Sequence, residues 1–320
     1  MIIGNMKRNI YSYSKLWMIL FVLMGAACTN QVEDAIPVSG QPIGFSVQSD
    51  WKEIPNTRLL IDDNGTMKFT QGDKVQIFGF HKSSKDAVEN VQFMYQVGDR
   101  TTGQKVVYDG KKDWNYSPKC FWPKYGLLDF YASYPCDSYN SSVHYDVGNK
   151  RMTYNNNLTQ DLLYGLATNR DCASKKTVEI WMVHALAKVK IILDKSLGDI
   201  GQVQVSGYKT GHFSPNNYGV PDWKIDDKTP IYADFRKYEG KVDEELKNNN
   251  SVTVFILPDK ITGLKMWDSG SHLINASDEI QKYTFEAGKV YNLTISKSNG
   301  VRKKNTNSRS IAMSVRCVSE

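Results

Sequence analysis

The sequence predicts an all-β chain, and two observations carry that prediction. Short segments in which apolar and polar residues alternate recur along it, bounded by Gly, Pro, Asn and Asp. A sustained 3.6-residue apolar repeat is missing, so amphipathic helices have little to build on. In order, IGFSVQS (43–49) sets Ile43, Phe45 and Val47 on one face, and GDKVQIFGF (72–80) sets Val75, Ile77 and Gly79 against Gln76, Phe78 and Phe80. VQFMYQV (91–97), KVVYDG (105–110), LLDFYASY (127–134) and TVEIWMV (177–183) continue the series. A second series holds AKVKIILD (187–194), GQVQVSGY (201–208), SVTVFILP (251–258), QKYTFEAG (281–288) and VYNLTIS (290–296). Only LTQDLLYGLA (158–167) and DEELKNN (243–249) read as short helices. Many short strands with turn chemistry between them point to antiparallel sandwiches and away from βαβ units.

Five segments follow from this reading. Residues 1–27 form a leader, 28–42 an N-terminal linker, 43–182 a larger sandwich and 183–298 a smaller one. Residues 299–320 form a flexible basic linker and a terminal strand. The stretch KSNGVRKKNTNSR offers only Val301 to bury, whereas in RSIAMSVRCVSE residues Ile311, Met313, Val315 and Cys317 share a face.

In the leader, Lys7, Arg8 and Lys15 precede the apolar run LWMILFVLMGAA, which ends at Cys28. Twelve apolar residues are too few to span a bilayer, which takes about 20. A basic start, a short apolar stretch and small residues before a cut describe a secretory signal. Gly25-Ala26-Ala27-Cys28 resembles a bacterial lipobox cut after Ala27, with Cys28 as the lipidated first residue, although Gly25 stands where a larger apolar residue is usual. The plainer alternative is an ordinary signal peptide cut near Ala27. Glu33 and Asp34 just downstream resemble the surface-export signal of Bacteroidota lipoproteins.

Charge excludes one class of partner. The leader carries three of the 40 basic residues and no acid, and 299–320 is strongly basic, so 28–298 sums to about −1. The pI of 8.8 is therefore a property of the two ends and gives no reason to expect nucleic-acid binding. The cysteines after Cys28 are Cys120, Cys136, Cys172 and Cys317, none in a CxxC pair. A Cys120–Cys136 bridge across CFWPKYGLLDFYASYPC requires the WPKYG loop to fold back, because an extended 127–134 spans roughly 25 Å.

Signals for catalysis are weak. None of the five histidines has zinc-ligand spacing, and no GxSxG elbow, Walker loop or GxGxxG occurs, so neither enzyme activity nor a metal or cofactor is expected. Asp62-Asp63 and Asp226-Asp227 sit beside turn formers, and DDNG lacks the distal Glu of a calcium loop. His184, inside WMVHALAKV, reads as a hydrogen-bonded core histidine more readily than as a catalytic one. Trp51, Trp114, Trp122, Trp223 and Trp267 suit sugar stacking, but 12% aromatic content also suits a sandwich interior.

NTRLLIDDNGTMKFTQGDKVQIFGF (56–80), WP…LDFYASYP (122–135), DLLYGLA (161–167), HALAKVKIIL (184–193), ILPDK (256–260) and AGKVYNLTIS (287–296) occur in that order. Together they resemble the fimbrillin-like family of Bacteroidales lipoproteins, over residues 43–297. The resemblance implies two transthyretin-like antiparallel sandwiches in tandem, no enzymatic activity and a place in a cell-surface fimbrium. It implies other fimbrial subunits as partners and an outer-membrane lipid anchor. It also implies assembly by strand donation: a protease cuts after an arginine, loss of the first strand opens a groove, and a neighbour's terminal strand fills it. Arg58 in NTRLL matches the cleaved position, the alternative being a solvated turn arginine. Ile311, Met313, Val315 and Cys317 are the candidate donor plugs, the alternative being a strand that completes its own sandwich. SVRCV departs from a plain shaft-subunit ending. The competing functional reading is a monomeric surface lipoprotein that binds glycans or a host protein through exposed aromatics.

Overall fold

A computed structural model describes residues 36–49, 60–61, 67–86, 90–136, 143–215, 219–297 and 300–306, with the backbone alone at 60–61, 67–68 and 300–306. Its first half contains β1 (Val38–Pro42), β2 (Phe45–Ser49), β3 (Leu60–Ile61), β4 (Met67–Lys68), β5 (Lys74–Lys82), β6 (Val91–Met94) and β7 (Gln104–Tyr108). Then come β8 (Trp114–Asn115), β9 (Phe121–Pro123), β10 (Leu127–Tyr134), β11 (Val143–Asp146), β12 (Arg151–Asn155), β13 (Leu163–Asp171) and β14 (Val178–His184). The second half supplies β15 (Ala187–Leu193), β16 (Ile200–Phe213), β17 (Lys224–Arg236), β18 (Ser251–Ile256), β19 (Gly263–Asp268), β20 (Leu273–Asn275), β21 (Val290–Ser296) and β22 (Gly300–Thr306). The fold is all-β, as its alternating segments predict.

An eight-stranded sheet runs β2-β14-β13-β10-β5-β7-β8, with β6 also on β5. Its central strands are buried on both faces. From β10, Leu128, Phe130 and Ala132 enter one core with Val75, Ile77, Val178 and Ile180, while Tyr131 joins Phe78, Phe80 and Tyr164 in another. The alternation read from the sequence therefore holds, but each face is covered, so neither is polar. Most of the aromatic density of 120–136 is core packing: Trp122 is 1% exposed and Phe130 fully buried, while Phe121 and Tyr125 are exposed. Cys120, Cys136 and Cys172 are thiols, so no bridge closes that stretch.

The second half stacks a four-stranded sheet, β18-β15-β21-β22, on a six-stranded one, β11-β12-β16-β19-β20 with β17 on β16. Val203, Val205, Leu264 and Met266 from one sheet meet Val189, Ile191, Val254 and Leu293 from the other. The six-stranded sheet is shared by both halves, because β12 pairs with the end of β16 from Met152↔Phe213 to Asn155↔Thr210. Strands β11 and β12 carry Tyr145, Met152 and Tyr154 onto the second face of the eight-stranded sheet, beside Phe213 and Leu257.

Three expectations are corrected. LTQDLLYGLA is a turn leading into strand β13. Asn156 and Asn157 side chains accept the backbone N–H groups of Leu158, Thr159 and Gln160, which satisfies a turn locally and starts no helix. The run that follows is apolar on both faces because it lies between β10 and β14, and Gly165 is required there: a Cβ would lie 2.5 Å from the Trp181 carbonyl. QKYTFEAG is not a strand. It follows a short helix, Ser277–Ile280, and pairs only through an isolated bridge between Phe285 and Asp259, with Phe285 buried edge-on against Tyr291. The polar segment expected as a linker runs as β22 from Gly300 to Thr306, antiparallel to β21. Main-chain pairing to an open edge does not require apolar side chains. The helix expected at 243–249 is present as Glu244–Asn249, capped by the Asp243 carboxylate on the Leu246 N–H.

Candidate assembly groove

The first described segment of the chain lies at an edge. Strand β1 pairs with β9. After Pro42 the chain crosses over: the Ile43 N–H donates to the Cys120 carbonyl at 2.9 Å, and the Val178 N–H donates to the Gly44 carbonyl at 2.8 Å. Strand β2 then runs parallel to β14, from Phe45↔Val178 to Ser49↔Met182, and is the last strand of its sheet. A parallel pair needs a long crossover, and here more than a hundred residues separate the partners.

Burial makes this strand, with Ile43 just before it, a row of plugs. Ile43, Phe45 and Val47 are 1%, 4% and 5% exposed, with Ser49 behind them at 7%. The Phe45 ring stands edge-on to Tyr116 at 5.7 Å and to Phe130 at 5.3 Å. Fully burying such side chains is worth about 1.5–3 kcal/mol each. Withdrawal of the strand would bare a slot lined by Tyr116, Phe130, Val178, Ile180 and Met182, together with the unpaired edge of β14. One polar latch closes the slot: the Tyr116 hydroxyl donates to the Ile43 carbonyl at 2.8 Å and to the Cys120 carbonyl at 3.2 Å. Burial pushes the Tyr116 hydroxyl far above its usual pKa and the neighbouring Cys120 thiol up to about 11, so both stay neutral.

The remaining sequence candidates fall as follows. Ala27, Cys28, Arg58, Ile311, Met313, Val315 and Cys317 lie outside the described residues, as do Trp51 and Asp62-Asp63. His184 is buried and paired through Nδ1 with Asp161, a core histidine with a carboxylate partner. Asp226 engages His212 at 2.5 Å from within β17, and Asp227 accepts the Thr229 N–H. Trp114 and Trp122 are core residues, and Trp223 is half-buried, its N–H donating to the Ala185 carbonyl. Trp267 lies half-buried on β19. Among the described residues no His, Cys, Asp and Glu group could hold a metal ion. Sequence reasoning missed the Tyr116 latch, because a tyrosine just after a two-residue strand gives no local sign that its hydroxyl holds a carbonyl 73 residues away.

Residues 57–312 match the family model described as fimbrillin-like. The chain belongs to the fimbrillin-like family. Two solved structures agree on the fold of this fimbrillin-like chain. A candidate cell adhesion protein from Bacteroides ovatus aligns with TM-score 0.51 at 12% identity, covering 88% of this chain and 99% of its own. A second, from Bacteroides uniformis, aligns with TM-score 0.50 at 15% identity, covering 83% and 97%. A fimbrial protein from Bacteroides vulgatus aligns at TM-score 0.43 and 13% identity, covering 82% and 98%. No curated protein matches the chain.

Proposed function

We propose that this chain is a non-enzymatic structural and adhesion subunit of a cell-surface fimbrium. In this reading it is exported as a lipoprotein, cut after Ala27 and anchored to the outer membrane through Cys28. It joins neighbouring subunits by exchanging β2. Family membership supports the fimbrial role. The observation that carries the exchange is β2 itself: a terminal, parallel edge strand with one ladder partner and a row of buried apolar side chains.

Arg58 falls between Ser49 and Leu60, the last residue of β2 and the first of β3. Cleavage there frees the segment that ends in β2 from the rest of the chain. Once β2 has left, the slot offers the β14 backbone edge and apolar pockets at every second position, which is the requirement for β-augmentation. Ile311, Met313, Val315 and Cys317 of a neighbouring subunit repeat the two-residue spacing of Ile43, Phe45, Val47 and Ser49.

The test is to treat the mature chain, residues 28–320, with an arginine-specific protease and run it unboiled on a denaturing gel. A ladder of multimers is expected, absent from Arg58→Ala and from a chain lacking 310–318. Cleavage without a ladder, or a ladder that survives either change, overturns the proposal.

A further inference from the structure

The outer face of the six-stranded sheet has a composition that the proposed exchange of β2 does not use. On β16, Val203 and Val205 point into the core, so Gln202 and Gln204 point outward. Pairing sets two rows across three strands. One row is Arg236–Gln202–Trp267, and the other is Asp234–Gln204–Lys265. Adjacent strands lie about 4.8 Å apart, so each row spans about 10 Å. Arg236, Asp234 and Lys265 are exposed, while Gln202, Gln204 and Trp267 are half-buried.

Within these rows the polar groups have unequal freedom. The Asp234 carboxylate is held through one oxygen by both amides, Gln204 at 3.0 Å and Gln202 at 3.4 Å. Arg236 and Lys265 make no ion pair among the described residues, and the Trp267 N–H makes no hydrogen bond among them. The patch thus presents an indole plane, an ordered amide–carboxylate network and two cations against one carboxylate, with neither cation drawn into an ion pair among the described residues.

We propose that this face, centred on Trp267, binds an oligosaccharide that carries a carboxylate. A pyranose has an apolar C–H face and a polar rim. The indole meets the first, and the amides of Gln202 and Gln204, with the second oxygen of Asp234, meet the hydroxyls. The acid is specified by charge: Arg236 reaches across Gln202 toward a sugar seated on Trp267, and Lys265 approaches from the adjoining row, each a donor suited to a carboxylate. The core of a protein interface would be depleted of charged residues. Here a charge or an amide stands at five of the six positions. The inference is independent of strand exchange, because the face lies on β16, β17 and β19, away from the β2 slot.

The uncleaved full chain would be applied to an array of sialylated and uronate-containing glycans beside their desialylated and carboxyl-reduced counterparts. Acidic glycans are expected to be retained over the neutral ones, with binding weakened about tenfold or more by Trp267→Ala and by Arg236→Gln. Arg236→Gln changes an exposed side chain, so an unaltered unfolding midpoint separates lost binding from lost fold. Failure to retain any acidic glycan, equal retention of the neutral counterparts, or binding that survives both substitutions overturns the proposal.

Discussion

Strands β2 and β22 end their sheets in different ways. Strand β2 is parallel to its partner and fastened by side chains, with Phe45, Val47 and, just before the strand, Ile43 sunk into a core, and with Tyr116 latching the Ile43 carbonyl. Strand β22 is antiparallel, matched with β21 residue for residue from Val290↔Thr306 to Ser296↔Gly300, and its sequence GVRKKNT has one large apolar residue. The difference separates two ways of closing an edge. Pockets specify which residues enter, and a ladder accepts almost any chain that can extend. The proposed exchange at β2 relies on pockets, because they let one strand be replaced by another of the same spacing and by little else.

The largest break in this comparison is Phe45→Ala. It empties the space between Tyr116 and Phe130 and should cost about 3–5 kcal/mol, read as a lower midpoint in guanidinium unfolding. Tyr116→Phe keeps the ring but leaves the buried Ile43 carbonyl without its hydroxyl donor. It should cost about 1–3 kcal/mol, and cleavage after Arg58 should release the first segment faster.

Cys120 reports on the slot without perturbing it. Burial raises its thiol to about 11, so below that pH the thiolate is the minor form. Alkylation in the intact chain should keep rising about tenfold per pH unit up to near pH 11, and removal of the first segment should move that rise toward pH 8.5. A rate already level at pH 9.5 in the intact chain would contradict this burial. The smallest effect belongs to the other edge. Replacing Arg302, Lys303 and Lys304 together by Ala should change stability by no more than about 0.5 kcal/mol per residue, because the ladder is main chain.

Much of this contrast is legible in the sequence. Residues 127–134 and 290–296 alternate and form strands over those same bounds. Asp243 before an Asp/Glu-rich turn marks a helix start, and the helix follows. Ile43, Phe45 and Val47 announce a buried face in the same way. Their partner could not be read: the parallel pairing to Val178–Met182 depends on residues far along the chain, and the local pattern carries no trace of it. Residues 158–167 misled because an apolar run flanked by two covered strands has no periodicity to reveal it. β22 was hidden for the opposite reason, since a polar composition argues against burial and says nothing about hydrogen bonding to a waiting edge. The glycan face was half visible. Trp267 stood out, but Gln202 and Arg236 join it only through strand register.

The pairing of β12 with the end of β16 also has a mechanical meaning. In a filament under flow, tension entering one half of a subunit must leave through the other. A bare tether between the halves would act as a swivel, and the fibre would crumple like beads on a string. Because one sheet carries strands from both halves, the load crosses a hydrogen-bonded ladder from Met152↔Phe213 to Asn155↔Thr210, backed by Tyr154 and Phe213 in the core beneath. Within a fimbrium, such a ladder would let each subunit carry load as a strut.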